Sequence, residues 1–188
     1  MWLSEQGAIK SPTKYRTDRF SGICQKDASS MSELRAKTVE QSRTEQIQIL
    51  MPEHINGYKR LFGGKLMEWI DVVAAVAARR HSNCNVTTAS VDHLEFKAAA
   101  YVNSTIVLKA QLTYVGRTSM EVRVDTFVED LGGEQTLINR AYLVLVALDE
   151  NDKPTEVPRL ICETPEEKSE WEAGQKRKEY RKIRYTSE

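Results

Sequence analysis

Four residues in one short stretch have the types needed to activate a carbonyl group: Asn56, Gly63, Gly64 and Asp71. Bare amide N–H groups at the start of a helix can donate to an oxygen that gains negative charge. A carboxylate beside them can take a proton from water. Donors plus a nearby carboxylate are what acyl transfer to water requires. Gly64 and Asp71 stand seven residues apart, nearly two helical turns, which puts both on one helix face about 10.5 Å apart along the axis. Ala74, Ala75 and Ala78 continue that face, so Asp71 is expected in an apolar stripe. A lone charged carboxylate there is costly or titrates upward; it has either a cationic partner from a neighbouring subunit or a chemical task. Gly-Gly before a helix and Asn-Gly in a loop are also ordinary turn chemistry.

The elements that must position these residues follow from periodicity. Ile47 and Ile49 alternate with polar residues, a short first strand. Pro52, Asn56 and Gly57 mark a loop, and Gly63-Gly64 opens a helix that runs to His81. Between Leu66 and Ala78 this helix is apolar nearly all round, which predicts burial on all sides. Arg79, Arg80 and His81 place positive charge at its negative end. Four strands follow: 86–96, 105–115, 120–128 and 141–148. Alternation in 120–128, with Glu121, Arg123 and Asp125 opposite the valines, predicts an antiparallel strand with one wet face. Leu131-Gly132-Gly133-Glu134 reads as a hairpin turn. The all-apolar 141–148 segment is central or lies in an interface. One buried helix with a long antiparallel meander gives an α+β layout, a curled sheet around that helix.

At about 150 residues per domain, 188 residues make one domain with extensions. Residues 1–42 lack a sustained apolar period and are expected to be a disordered extension; Met31 within them could be the biological start. Residues 43–162 form the domain, and 163–188 a charged tail helix with acids first and bases last. Its basic cluster (Lys176, Arg177, Lys178, Arg181, Lys182, Arg184) is expected to face water.

Lys+Arg and Asp+Glu are both 27, a net charge of zero, which argues against a nucleic-acid or membrane-surface binder. Three widely spaced cysteines rule out a disulfide framework and a C-x-x-C metal site, and fit a reducing, cytoplasmic setting. The longest apolar stretch is too short to span a bilayer. No metal site is expected. Ser90, Asp92 and His93 suggest a triad, but strict alternation puts Ser90 and His93 on opposite faces of their strand. Cys84 lacks an adjacent base.

The run Asn56-Gly57-x-x-x-Leu61-Phe62-Gly63-Gly64-x-Leu66-Met67-x-Trp69-Ile70-Asp71 resembles the hotdog-fold acyl-CoA thioesterases, in particular the cytosolic acyl-CoA hydrolase branch. Thr88-Ala89-Ser90-Val91-Asp92 and Val115-Gly116-Arg117-Thr118-Ser119-Met120 match later strand motifs of that family. The resemblance covers about residues 44–160. It implies a hotdog fold and hydrolysis of acyl-CoA to a fatty acid and CoA, with no cofactor beyond the CoA of the substrate. It also implies a homodimer, and often a trimer of dimers, with active sites between subunits: Asn56 from one chain, Asp71 from the other. Asn56 and the Gly64 N–H would polarise the thioester carbonyl. Asp71 would activate water or attack directly. Gly63, Arg117, Thr118 and Ser119 would bind the CoA portion, Arg117 gripping phosphate. The loop after Phe96, Lys97-Ala98-Ala99-Ala100-Tyr101, departs from the family pattern, and His54 has no assigned role. Two other readings on this scaffold are an enoyl-CoA hydratase or dehydratase, whose G-H-F-P run is missing, and a non-enzymatic acyl-CoA sensor.

Overall fold

A computed structural model describes residues 36–186. The order is β1 (Lys37–Thr38), a 3-10 turn (Glu40–Ser42), β2 (Thr44–Ile49), a second 3-10 turn (Pro52–His54), α1 (Gly63–Ser82), β3 (Asn85–Phe96), β4 (Thr105–Val115), β5 (Ser119–Glu129), β6 (Gln135–Leu148), β7 (Leu160–Ile161) and α2 (Pro165–Thr186). Five strands form one antiparallel sheet in the order β2-β4-β5-β6-β3. The sheet curls around α1, which touches all five strands. This is the expected α+β hotdog arrangement.

Helix α1 begins where the Leu66 N–H reaches the Phe62 carbonyl at 3.1 Å. It ends at Asn83, held in the left-handed region at φ 56° with its N–H on the Arg79 carbonyl; asparagine tolerates that conformation better than most residues. Lys37 completes the end. Its ammonium donates to the Arg80 carbonyl at 2.6 Å and to Asn83 Oδ1 at 3.1 Å, a cation at the negative pole of the helix. Leu66, Ile70 and Val73 are each 1% exposed, and Ala74, Ala77 and Ala78 are fully buried. The alanines let the sheet backbone approach closely. Opposite them lie Ile106, Leu108 and Leu112 of β4, Val122 and Val124 of β5, and Leu143 and Leu145 of β6. Burying each large aliphatic side chain stabilises by about 1.5–3 kcal/mol.

Several expectations change. The packed unit reaches back beyond residue 43: β1 pairs in parallel with β7, and Val39 is buried. The extension drawn to residue 42 therefore ends too late; Met31 lies outside the described residues. The expected wet face of β5 is covered, because α2 lies across it. Glu121 is 1% exposed there. It accepts from Thr113 Oγ1 at 2.8 Å and pairs with Arg177 at 2.8 Å and Arg181 at 3.1 Å. Arg123 reaches Glu170 and Arg140 reaches Asp125, while Arg177 stacks 3.9 Å from the Tyr142 ring centre. Arg177 and Arg181 thus turn inward instead of facing water. Removing one partner of so enclosed a charge costs about 3–5 kcal/mol. Nor is α1 buried on all sides: Asp71 and Val72 are exposed.

His81 is the other correction. It is buried, not an exposed helix-end cation, and Nε2–H donates to the Pro158 carbonyl at 2.9 Å. Burial above all, helped by the Lys37 charge and opposed by the Pro158 carbonyl, pushes its pKa down. The folded state holds the ring neutral, whereas an unfolded chain takes up the proton near pH 6.5. The native state is therefore expected to lose stability as pH falls below about 6.5. In urea titrations, the midpoint of the native protein should drop more steeply between pH 7 and 5 than that of His81→Gln.

Candidate active site

The loop between β2 and α1 is organised by Asn56. Its Oδ1 accepts the N–H of Tyr58 at 2.9 Å and of Arg60 at 3.3 Å. The carbonyl end of the side chain therefore builds the turn, and Nδ2 is the end left to donate. Met51 N–H donates to His54 Nδ1, and the His54 ring meets Trp69 edge-on with centroids 5.0 Å apart. His54, which had no role from sequence, fixes the loop on α1. The loop following β3 closes against the same segment: Leu61 N–H bonds to the Ala100 carbonyl, and Arg60 bridges to Tyr101. Together they bound a cleft of about 360 Å³ lined by Asn56, Leu61, Leu66, Phe96 and Ala98–Ala100.

Gly63 and Gly64 begin α1, and Phe62 before them supplies no side-chain cap. By position, their N–H groups have no partner within the helix. The glycines are also a matter of space. A Cβ on Gly64 would come within 2.6 Å of the Phe62 ring, and one on Gly63 within 3.4 Å of the Phe96 ring.

Asp71 faces the open side of α1. Its Oδ1 accepts a hydrogen bond from Thr88 Oγ1 at 2.6 Å. The alanine stripe does not enclose it: Ala74 and Ala78 lie under the sheet, whereas the sheet ends at β3 and leaves Asp71 exposed. Thr88 was not singled out from sequence. A threonine in a β-branched strand is ordinary by type, and the signal available was its place in the Thr88–Asp92 motif.

Arg117, Thr118 and Ser119 form the β4–β5 turn, closed by the Gly116 N–H on the Ser119 carbonyl at 2.7 Å. Arg117 is exposed, with Lys178 of α2 beside the turn. This turn is far from Gly63. Ser119 pairs with Val146, whereas Thr126 pairs with Asn139, the partner of Phe96. Seven strand residues at about 3.3 Å each make roughly 23 Å. A single chain thus joins Asp71 to Thr88 and Asn56 to the 96–100 loop, and it keeps Arg117–Ser119 away from the Asn56 end while Met120, next to that turn, lies level with Thr88 across β6. A larger cleft of about 550 Å³ lies beside the turn, lined by Gly116, Arg159, Leu160, Lys168 and Trp171. It holds none of Asn56, Gly63, Gly64 and Asp71.

Two register shifts interrupt β3, between Thr88 and Ser90 and between Val91 and His93. They break the strict alternation expected of this strand. Ser90 Oγ donates to Asp92, which is itself paired with Arg181. Among the described residues, no group of three or more His, Cys, Asp or Glu is placed to hold a metal ion, and no helix is long and apolar enough to cross a membrane.

The thioesterase superfamily model matches residues 58–134, the segment from α1 to the β5–β6 turn. The uncharacterized acyl-CoA thioester hydrolase YkhA of Bacillus subtilis is 40% identical over 70% of this chain and 74% of its own length. The cytosolic acyl coenzyme A thioester hydrolase of Rattus norvegicus is 31% identical over 74% of this chain, which spans 38% of that longer protein. Among solved structures, an apo-hexameric acyl-CoA thioesterase superposes with a TM-score of 0.77 at 41% identity, covering 80% of this chain and 97% of that one. An acyl-CoA hydrolase of Staphylococcus aureus, in complex with butyryl-CoA and CoA, gives 0.77 at 32% identity over 81% and 94%. With the curled sheet, the glycine-opened helix and the carboxylate on its open side, these likenesses show that the chain belongs to the thioesterase superfamily, among its acyl-CoA thioester hydrolases.

Proposed function

We propose that this protein hydrolyses fatty acyl-CoA to a free fatty acid and CoA, with Asp71 as general base. The observation that carries the reading is the Thr88–Asp71 hydrogen bond at 2.6 Å on the open side of α1. Thr88 fixes one carboxylate oxygen and leaves the other to take a proton from water. The water oxygen bonds to the thioester carbon, the carbonyl oxygen gains charge, and the collapse of that intermediate expels the CoA thiolate, which then takes up a proton. Asn56 Nδ2 and the Gly64 N–H are the donors proposed for the charged oxygen. The Staphylococcus aureus hydrolase has been solved with an Asn, an Asp and a Thr each changed to Ala. Those positions lie 15 and 17 residues apart, the spacing of Asn56, Asp71 and Thr88, which supports the same trio here.

Asn56 and Asp71 in this reading meet across a subunit boundary, in a homodimer that assembles further into a trimer of dimers. The uncovered edge of β3 beside Asp71 and the hexameric state of one structural relative support it. Gly63 and the Arg117-Thr118-Ser119 turn are the proposed CoA contacts, and the roughly 23 Å between them along the sheet favours a turn from a copy other than the one that supplies Gly63. The cytosolic naming of the rat relative supports a cytoplasmic setting. No cofactor is invoked.

Purified protein incubated with acyl-CoAs of graded chain length should release thiol that a thiol-reactive dye detects; no release at any length would end the proposal for that set. Asp71→Asn should keep the assembly and lower kcat by about 10²–10⁴-fold. Asn56 separates two tasks. Asn56→Asp keeps the acceptor that builds the turn and should melt near the native temperature, yet lose about 10²-fold in kcat with the donor. Asn56→Ala should lose that turnover and about 1 kcal/mol of stability as well.

A further inference from the structure

Strand β3 has to do two things on opposite sides. Thr88 lies on the α1 side of the sheet, in register with the core residue Leu145, and reaches Asp71 while staying exposed. Asp92, four residues on, engages Arg181 of α2 on the outer side. In a regular strand, residues four apart share a face, so an unbroken β3 could not make both contacts. The register shift after Thr88 resolves the conflict, and a second shift leaves Asp92 itself unpaired in the ladder. An extra residue leaves the ladder locally unpaired and lets the strand bend, so something outside the ladder must hold the register.

The outer-face network supplies that hold. Arg181 reaches both Asp92 and Glu121. Glu121 is itself enclosed, gripped by Arg177 through both carboxylate oxygens and by Thr113. Gly174 lets α2 sit this low: a Cβ there would lie 2.6 Å from Tyr114 Cβ and 2.9 Å from Glu121 Oε1. Arg181 is therefore anchored to the rigid centre of the sheet at one partner and to the bulged edge strand at the other.

We infer that Arg181, acting through Asp92, is a positioning residue for the hydrolytic site: the tail helix straps the bulged part of β3 so that Thr88 stays aimed at Asp71. The inference rests on the proposed role of Asp71 and Thr88.

The test uses the full chain and four variants. Asp92→Asn and Arg181→Gln should each lower kcat about tenfold with KM changed by less than about twofold. Amide hydrogen exchange over residues 87–93 should quicken in both. Arg181→Lys, which keeps the charge, should recover most of the kcat. Arg123→Gln breaks the Asp125 and Glu170 pairs on the same outer face without touching β3, and should lower the melting temperature while leaving kcat unchanged. Native kcat in Asp92→Asn overturns the inference, even if Arg181→Gln fails to fold. Equal loss of kcat in Arg123→Gln also overturns it, since the effect would then be general destabilisation. If Asp71→Asn proves fully active, the underlying catalytic reading fails instead, and unchanged exchange over 87–93 in Asp92→Asn would separately sink the strap.

Discussion

A five-stranded sheet that curls around a helix can cover only part of its circumference. On the covered part, close packing demands small side chains, and Ala74, Ala77 and Ala78 meet the sheet there. The rest of α1 is left to solvent or to another chain, and Asp71 stands where cover stops, beside the edge strand β3. The incomplete wrap leaves the carboxylate reachable while its helix is held from behind.

The two functional-looking acids show how one chemical type is put to different uses. Glu121 is enclosed and matched by two guanidinium groups and a threonine hydroxyl. Such an acid is committed to architecture, since any change in its charge leaves two half-buried arginines unmatched. Asp71 is bonded by Thr88, and a neutral hydroxyl orients a carboxylate without cancelling its charge. In sequence both are single acids set among apolar residues. The difference comes from which strand faces each of them, and that is a matter of tertiary structure.

Much of the fold was legible in the sequence. The glycine pair, the apolar helix, the strand alternation and the hairpin at Gly132-Gly133 are local signals with local causes, and the structure keeps the elements they mark, though bulges break the alternation of β3. The misses share one cause: they depend on contacts distant in sequence. Val39 looks like an isolated apolar residue until β1 meets β7, more than a hundred residues later. Glu121, Arg123 and Asp125 read as a wet face because the covering helix lies about fifty residues downstream and is itself polar. His81 reads as a terminal cation because nothing nearby announces the Pro158 carbonyl. At the candidate site, spacing set Gly64 and Asp71 on one helix face, while the role of Asn56 came from the family resemblance. Thr88 and the bulges of β3 were not legible, since a register shift leaves the amino-acid types of a strand unchanged.

The Lys37 cap has a practical side. Helix α1 is 20 residues long, about 30 Å at 1.5 Å per residue, and Lys37 sits at its far end, away from Asn56 and the glycine pair. Whatever precedes Lys37 enters the domain at that remote pole. A fusion made directly before residue 36 would therefore join the domain about a helix length from Asn56 and the glycine pair. A clip made after Val39 would instead strip the helix of its terminal cation and the core of a valine, so this is the margin at which trimming must stop.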